Sequence, residues 1–314
     1  MKSFKQLYQK LPPEFTESLS AQYQPKIYQH ILSGFMVERP VTLRINRLKT
    51  DIRQVMEVFR SQNIKHERVS WYDDALIIRN KREKDLETNE LFQEGHIYLQ
   101  SLSSMIPPLV LNPKPGMKLL DLTAAPGSKT TQLAALMDNE GYILANELNP
   151  IRAERLKFNI QRQGAGIVEV RVGDGKRPEP HWKEFFDAVL LDAPCSGVGL
   201  FEIGHSLTYR GWSLRTVNQL AKEQKKLIEV AFGALKPGGI LVYSTCTLMK
   251  EENEANIDWA LKRFDSQLSL DEIGLTLANA TTQPVQFDNQ SSSALVIIPT
   301  ELYEGFFVAT LRKR

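Results

Sequence analysis

The stretch Lys118-Leu-Leu-Asp-Leu-Thr-Ala-Ala-Pro-Gly-Ser-Lys-Thr130 decides the fold. A short apolar run, Lys118–Leu122, passes through a turn of small residues into a segment of helix length. The same order recurs down the chain. Tyr142–Glu147, Val168–Gly173, Phe186–Asp192 and Gly239–Thr245 are further short apolar runs, with helix-length segments between them. In one such segment Val217, Leu220, Ala221, Leu227, Ile228, Ala231, Phe232 and Leu235 form a helical stripe that reads as core packing. Alternating strands and helices imply an α/β fold with a mostly parallel, doubly wound sheet covered on both faces. Ala294–Pro299 and Phe306–Leu311 add two terminal strands.

Ligands of such sheets bind outside the carboxyl ends of the strands, so those ends are read in order. The first loop is not a Walker A motif, because Ser128 separates Gly127 from Lys129 and no glycine stands at the required distance before it. Nor does it match GxGxxG, which leaves a nicotinamide dehydrogenase without its glycine pattern. A turn of small residues still lets backbone approach a ligand and points helix N–H groups at it. Glu147 ends the second strand and fits an acid that accepts from two ribose hydroxyls; Asp174, after the third, fits an adenine edge. Taken singly, each reads as a cap or turn residue. Acids at successive strand ends favour an adenosine-containing cofactor.

Both cysteines of the chain fall at neighbouring strand ends, in Asp192-Ala-Pro-Cys195-Ser-Gly and in Ser244-Thr-Cys246-Thr. Adjacent strands lie about 4.8 Å apart, so the thiols fit one pocket within roughly 10 Å. The bland alternative is two small buried hydrophobes. Two cysteines in 314 residues suit a reducing compartment, and no CxxC or histidine spacing suggests zinc. The amino terminus lacks an apolar core of signal-peptide length. No apolar run approaches the roughly 20 residues that span a bilayer, and a cytoplasmic protein is expected.

Before the alternating region, Asn112-Pro-Lys-Pro-Gly116 is the clearest punctuation. Residues 1–25 read as a polar extension in which Pro12-Pro13 interrupts any long helix. Ile27–Met36 reads as a helix, Val41–Ile45 as a strand, Asp51–Phe59 as a helix capped by Thr50 or Asp51, and Ala75–Arg79 as a second strand. The expected domains are 1–25, a small α+β unit over 26–111, and a catalytic unit over 112–314. Lysine plus arginine number 39 against 37 acids, a net charge of +2 that does not announce a nucleic-acid binder. Residues 1–115 carry 17 basic and 13 acidic side chains, which suits either a basic face for a polyanion or an ordinary solvated surface.

The segments LLDLTAAPGSKT, ANELNPIRAERL, VGDGKR, FDAVLLDAPCSGVG and LKPGGILVYSTCTL span 119–248, and VTLRINRLKT, GHIYLQSLSSMIPPLVL and GFFVATLRK flank them. On these residues the chain resembles the Sun (RsmB/RsmF-like) RNA cytosine-5 methyltransferases. The resemblance implies a class I methyltransferase fold that binds S-adenosylmethionine, preceded by a small ferredoxin-like, RNA-facing domain. It puts Thr123, Ala124, Ala125, Pro126, Gly127, Ser128 and Lys129 around the methionine moiety, Glu147 on the ribose and Asp174 on the adenine, with Arg152 and Asp192 as further cofactor contacts. It makes Cys246 the nucleophile and Cys195 the group that helps release product, with Asp192 and Lys129 on the target base.

The chemistry needs such a pair. Carbon 5 of cytosine is too weakly nucleophilic to accept a methyl group unaided, and a thiolate adding at carbon 6 makes it enamine-like. A base must then remove the carbon 5 proton before the enzyme is freed. The target must also leave any stack, and Phe201, Tyr209 and Trp212 suit either a splayed nucleotide or the core. Thr123 and Ser128 stand where the family commonly has cysteine and glycine. The segment Phe201–Arg210 lacks the family's Arg-x-Pro-Asp run, which bears on RNA choice more than on chemistry. The expected substrate is rRNA, with tRNA as the alternative; a monomer is expected, with no metal and no membrane. Target selection is expected from residues 1–115 and the core rim. Two rivals are a DNA cytosine-5 methyltransferase, disfavoured by the TC motif, and a non-catalytic RNA-binding assembly factor, which has no need of both thiols.

Overall fold

The computed structural model describes residues 10–287 and 290–314, which form two sheets. The smaller has the order β2-β3-β1-β4, from Val41–Ile45 (β1), His66–Arg68 (β2), Ala75–Ile78 (β3) and Ile97–Leu99 (β4). Its β1–β3 and β1–β4 pairings are antiparallel. One face buries Leu43, Ile45, Leu76, Ile78 and Ile97 against Val55 and Phe59 of the helix Ile52–Ser61. Asp51 starts that helix, its carboxylate accepting the N–H groups of Arg53 and Gln54 at 2.7 and 3.1 Å. Strands β2 and β4 have only three residues each, too short for alternation to reveal in the sequence.

The larger sheet contains Lys118–Asp121 (β5), Tyr142–Glu147 (β6), Val168–Val172 (β7), Phe186–Asp192 (β8), Leu235–Thr245 (β9), Leu268–Leu270 (β10), Thr281–Phe287 (β11), Gln290–Ile298 (β12) and Phe306–Lys313 (β13). Its order is β11-β12-β13-β9-β8-β5-β6-β7, with β10 on β13. Strands β7, β6, β5, β8 and β9 run parallel; β10 to β13 are antiparallel. The chain winds outward from β5 to β7, then returns to the other side of β5 with β8 and β9. That reversal opens the crevice at the carboxyl ends of β5 and β8. The parallel strands are the five runs read from the sequence; β5, β6, β8 and β9 are mostly buried, as in a sheet covered on both faces, whereas the edge strand β7 has no fully buried residue.

The first hundred residues are sorted by packing differently from their composition. Pro13 occupies the first position of the helix Pro13–Gln22, where its missing N–H costs nothing, and a second helix follows at Pro25–Gly34. Phe15, Leu19, Tyr23, Ile31, Leu32 and Phe35 join the same buried cluster as Val189, Leu191, Tyr243 and Phe307 of the large sheet. In the stretch expected as a polar extension, Leu11, Phe15, Leu19 and Tyr23 therefore lie in the core of the large sheet, too few per turn to stand out by composition. The helix Leu102–Leu111 joins the two sheets and ends at Asn112, whose backbone is left-handed at φ 48°. Pro108 withholds an N–H from the Ser104 carbonyl, which accepts from Gln100 Nε2 at 3.1 Å instead. Among the described residues no helix is long and apolar enough to cross a membrane.

Candidate active site

The turn after β5 is stitched to both neighbouring strands. Ala124 N–H donates to the Asn146 carbonyl at 2.9 Å, and Thr123 Oγ1 to the Asp192 carbonyl at 2.9 Å. Asp121 is buried at its base and accepts from Thr130 Oγ1 at 2.7 Å. Burial pushes the Asp121 carboxyl up to about 7, with the Thr130 hydrogen bond opposing. Gly127 has φ +106°, and a Cβ there would lie 2.9 Å from Leu156 Cδ1, so the turn requires glycine. The helix Ser128–Leu136 then starts without a side-chain cap, leaving its first N–H groups open to a ligand.

Glu147 ends β6 almost fully buried and accepts from Asn149 N–H at 2.9 Å. Arg152 lies 3.7 Å from its carboxylate and donates to the Ala125 carbonyl at 2.7 Å, so it spans from Glu147 to the first turn. Asp174, half-buried beyond β7, accepts from Lys176 N–H at 3.0 Å. Asn146 Nδ2 links the Leu122 and Gly173 carbonyls, which fixes the first and third strand ends to each other. Beside these acids Leu148 is 61% and Val172 44% exposed. One buried and one half-buried acceptor flanked by bare apolar side chains suit a flat apolar ring attached to a hydroxylated sugar, and S-adenosylmethionine fits that combination.

Lys129 and Asp192 meet across the crevice, with Nζ 2.6 Å from Oδ2. Ser244 Oγ donates to the other Asp192 oxygen at 2.7 Å, and Lys129 also donates to Ser104 Oγ at 2.9 Å. Burial works against the lysine charge, but Asp192 outweighs it and raises the ammonium above its usual value. The pair presents a fixed cation and a fixed acceptor at one wall, able to bind a base edge that carries both an amino group and a carbonyl.

Cys195, beyond β8, and Cys246, beyond β9, bring their Sγ atoms to 3.2 Å, both half-buried and neither in a disulfide. Their strands are parallel neighbours, which is why residues 51 apart in sequence meet. The hydrogen bond to Cys246 and burial push the Cys195 thiol well above its ordinary value, and the charges of Cys246 and Glu252 add to this. In this arrangement one sulfur holds a proton against the other.

Four polar residues near these groups were not singled out by the sequence reading. Ser104 arrives from the connecting helix, Ser244 from the end of β9, Glu304 accepts from Ser101 Oγ at 2.6 Å, and Glu252 is fully buried behind the cysteine turns. Ser244 sits two residues before Cys246 within the same motif; Glu252 stands in a polar run that reads as solvated. The aromatics resolve toward the core. Phe201 and Tyr209 are buried, and Phe201 and Trp212 lie 5.0 and 5.1 Å from the ring of Phe15, which comes from the early helix Pro13–Gln22. Among the described residues no group of three or more His, Cys, Asp or Glu is arranged to hold a metal.

Comparison with known proteins follows this geometry. Residues 108–312 match the family described as 16S rRNA methyltransferase RsmB/F, and residues 12–84 match a Methyltr_RsmF/B-like ferredoxin-like domain. The chain is 38% identical over 282 residues to the tRNA (cytosine(49)-C(5))-methyltransferase of Pyrococcus abyssi (strain GE5 / Orsay), covering 87% of this chain and 88% of that protein. It is 35% identical over 311 residues to the ribosomal RNA small subunit methyltransferase F of Klebsiella pneumoniae (strain 342), covering 95% of this chain but only 64% of that protein. A solved methyltransferase homolog protein from Pyrococcus horikoshii superposes with a TM-score of 0.82 at 28% identity, over 99% of this chain and 98% of the other.

Proposed function

Since the chain belongs to the family of 16S rRNA methyltransferases RsmB/F, we propose that it transfers a methyl group from S-adenosylmethionine to carbon 5 of a cytosine in RNA. The observation that carries this reading is the pair of thiols 3.2 Å apart beside the Lys129–Asp192 pair. When bound, the cofactor supplies an electrophilic methyl group on a sulfonium. Glu147 and Asp174 would hold its ribose and adenine and the 123–129 turn its methionine end, while Arg152 braces the turn against Glu147.

Asp192 accepts from the amino edge of the cytosine and Lys129 neutralises charge at its carbonyl. The Cys246 thiolate adds to carbon 6, which loads electron density onto carbon 5. After methylation Cys195, which gives its own proton to water once the Cys246 sulfur is bound in the adduct and no longer faces it as a thiolate, takes the carbon 5 proton; the electron pair re-forms the ring double bond and the Cys246–carbon 6 bond breaks.

The substrate in this reading is rRNA, in line with the family description. A tRNA substrate is the second reading, favoured by the archaeal relative that this chain matches over 88% of that protein's length. The protein acts as a monomer in the cytoplasm, and residues 26–111 face the RNA. Bisulfite sequencing of total RNA from a strain lacking the gene, against its parent, tests the chemistry and the RNA substrate together. Loss of one protected cytosine in rRNA is the expected result, and loss in tRNA selects the second reading. No change at any rRNA or tRNA cytosine would count against methylation and favour an RNA-binding assembly role.

A further inference from the structure

Glu252 is fully buried and no lysine or arginine pairs with it among the described residues. Its partners are instead the turns that carry the two thiols. One carboxylate oxygen accepts from Ser196 N–H at 2.9 Å and from Gln224 Nε2 at 3.0 Å; the other accepts from Ser196 Oγ. The same Gln224 amide donates to the Pro194 carbonyl at 2.9 Å. Cys195 is thus anchored on both sides. Ser196 Oγ lies 2.9 Å from Thr247 Oγ1, next to Cys246, and Asn253 Nδ2 donates to the Thr247 carbonyl at 2.9 Å. Tyr243 OH fixes the Glu252 backbone carbonyl at 2.6 Å.

A buried carboxylate without a cation is costly, and an apolar residue would fill the space without that cost. We propose that Glu252 is a positioning residue that clamps the two cysteine turns together through Ser196 and Thr247, and whose negative charge keeps the proton of the thiol pair on Cys195, leaving Cys246 free to attack. This rests on the assignment of Cys246 as nucleophile. The clamp acts through geometry, since the anchored atoms flank each sulfur. Burial pushes the Glu252 carboxyl itself up, with the hydrogen bonds from Ser196, Gln224 and Thr247 opposing; above that raised value its charge acts through the field, in the direction in which Glu252 adds to the upward push on the Cys195 thiol. The titratable groups facing the pair are Glu252, Tyr243, Asp192 and Lys129.

The test compares the full-length wild type with Glu252→Gln and Glu252→Asp. Iodoacetamide labelling across pH, read by mass spectrometry, reports which cysteine alkylates and at what pH. Turnover on RNA is followed in parallel. In the wild type Cys246 is expected to label first. Glu252→Gln should move labelling toward Cys195 and lower kcat by about 10²-fold with little change in the RNA KM, as a displaced reacting group does. Glu252→Asp, which retains the charge, should restore the wild-type order of labelling. A Glu252→Gln protein that is folded and labels as the wild type does overturns the proposal. If Glu252→Gln does not fold, Ser196→Ala replaces it. It retains the charge, so the labelling order should persist while kcat falls; unchanged kcat overturns the clamp. Wild-type protein that methylates no RNA yet labels first at Cys246 would remove the functional reading and leave the proton assignment standing.

Discussion

Single residues at the crevice divide into those that do chemistry and those that hold them. On the proposed mechanism, Cys246→Ala abolishes both turnover and any covalent RNA adduct. Cys195→Ala should instead accumulate a protein–RNA adduct that survives denaturation on a gel. An adduct formed by the Cys246→Ala protein would reverse the two roles. Asp121 offers a prediction about stability. Its carboxyl is held near 7 by burial, above an unfolded value near 4, so the folded state prefers the protonated form. The stabilisation from that preference is complete below about pH 4 and is lost as pH rises through about 7, a swing of at most about 4 kcal/mol. Asp121→Asn should flatten this part of the profile. Urea unfolding of both proteins at pH 5 and pH 8 measures it; an identical pH dependence would mean that the carboxyl does not titrate in that range.

Elements bring these residues together, and the helix Pro13–Gln22 shows how far the contribution reaches. Phe15 is fully buried against Phe35, Phe201 and Trp212, beneath the loop that follows the Cys195 turn. Truncating it leaves a cavity within the catalytic core although it lies far from that core in sequence. Phe15→Ala should lower stability by about 3–5 kcal/mol and shift the single melting transition of the catalytic domain by calorimetry. If only a minor local transition moved, the helix would be an appendage after all. The parallel strands, β12 and β13 were legible as apolar runs, whereas β10, only three residues long, and β11, Thr281–Phe287, whose residues are mostly polar, were not. Strands β2 and β4 and the short helices Glu83–Glu87 and Glu90–Gln93 were not, since three to five residues contain too few repeats of either period to stand out.

The whole molecule depends on the small sheet docking on the helices of the large one. Arg44 lies fully buried on β1, donating to Gln100 Oε1 and Thr131 Oγ1 at 3.1 Å each, with one guanidinium nitrogen unpartnered. Burial lowers its pKa. Thr131 in turn donates to the Gly127 carbonyl at 2.8 Å, so the docked domain reaches the turn proposed to hold the cofactor. Arg44→Ala removes both bonds and leaves a void at this junction, and should cost about 2–4 kcal/mol. Limited proteolysis should then cut first in the 41–99 region; unchanged cleavage would show that apolar contacts alone hold the domains. The amino-acid sequence by itself determined the alternation of strands and helices, the acids and thiols at the strand ends and the class of chemistry they suit. Those signals are local, carried by hydrogen-bond periodicity and by short motifs. Strand order is not local. Only the tertiary structure decided that β8 lies between β5 and β9, which sets Lys129 against Asp192 across 63 residues and Cys195 against Cys246 across 51. It alone also put Phe15 in the core and Glu252 behind both thiols, because burial is a property of packed surfaces and not of the residues that supply them.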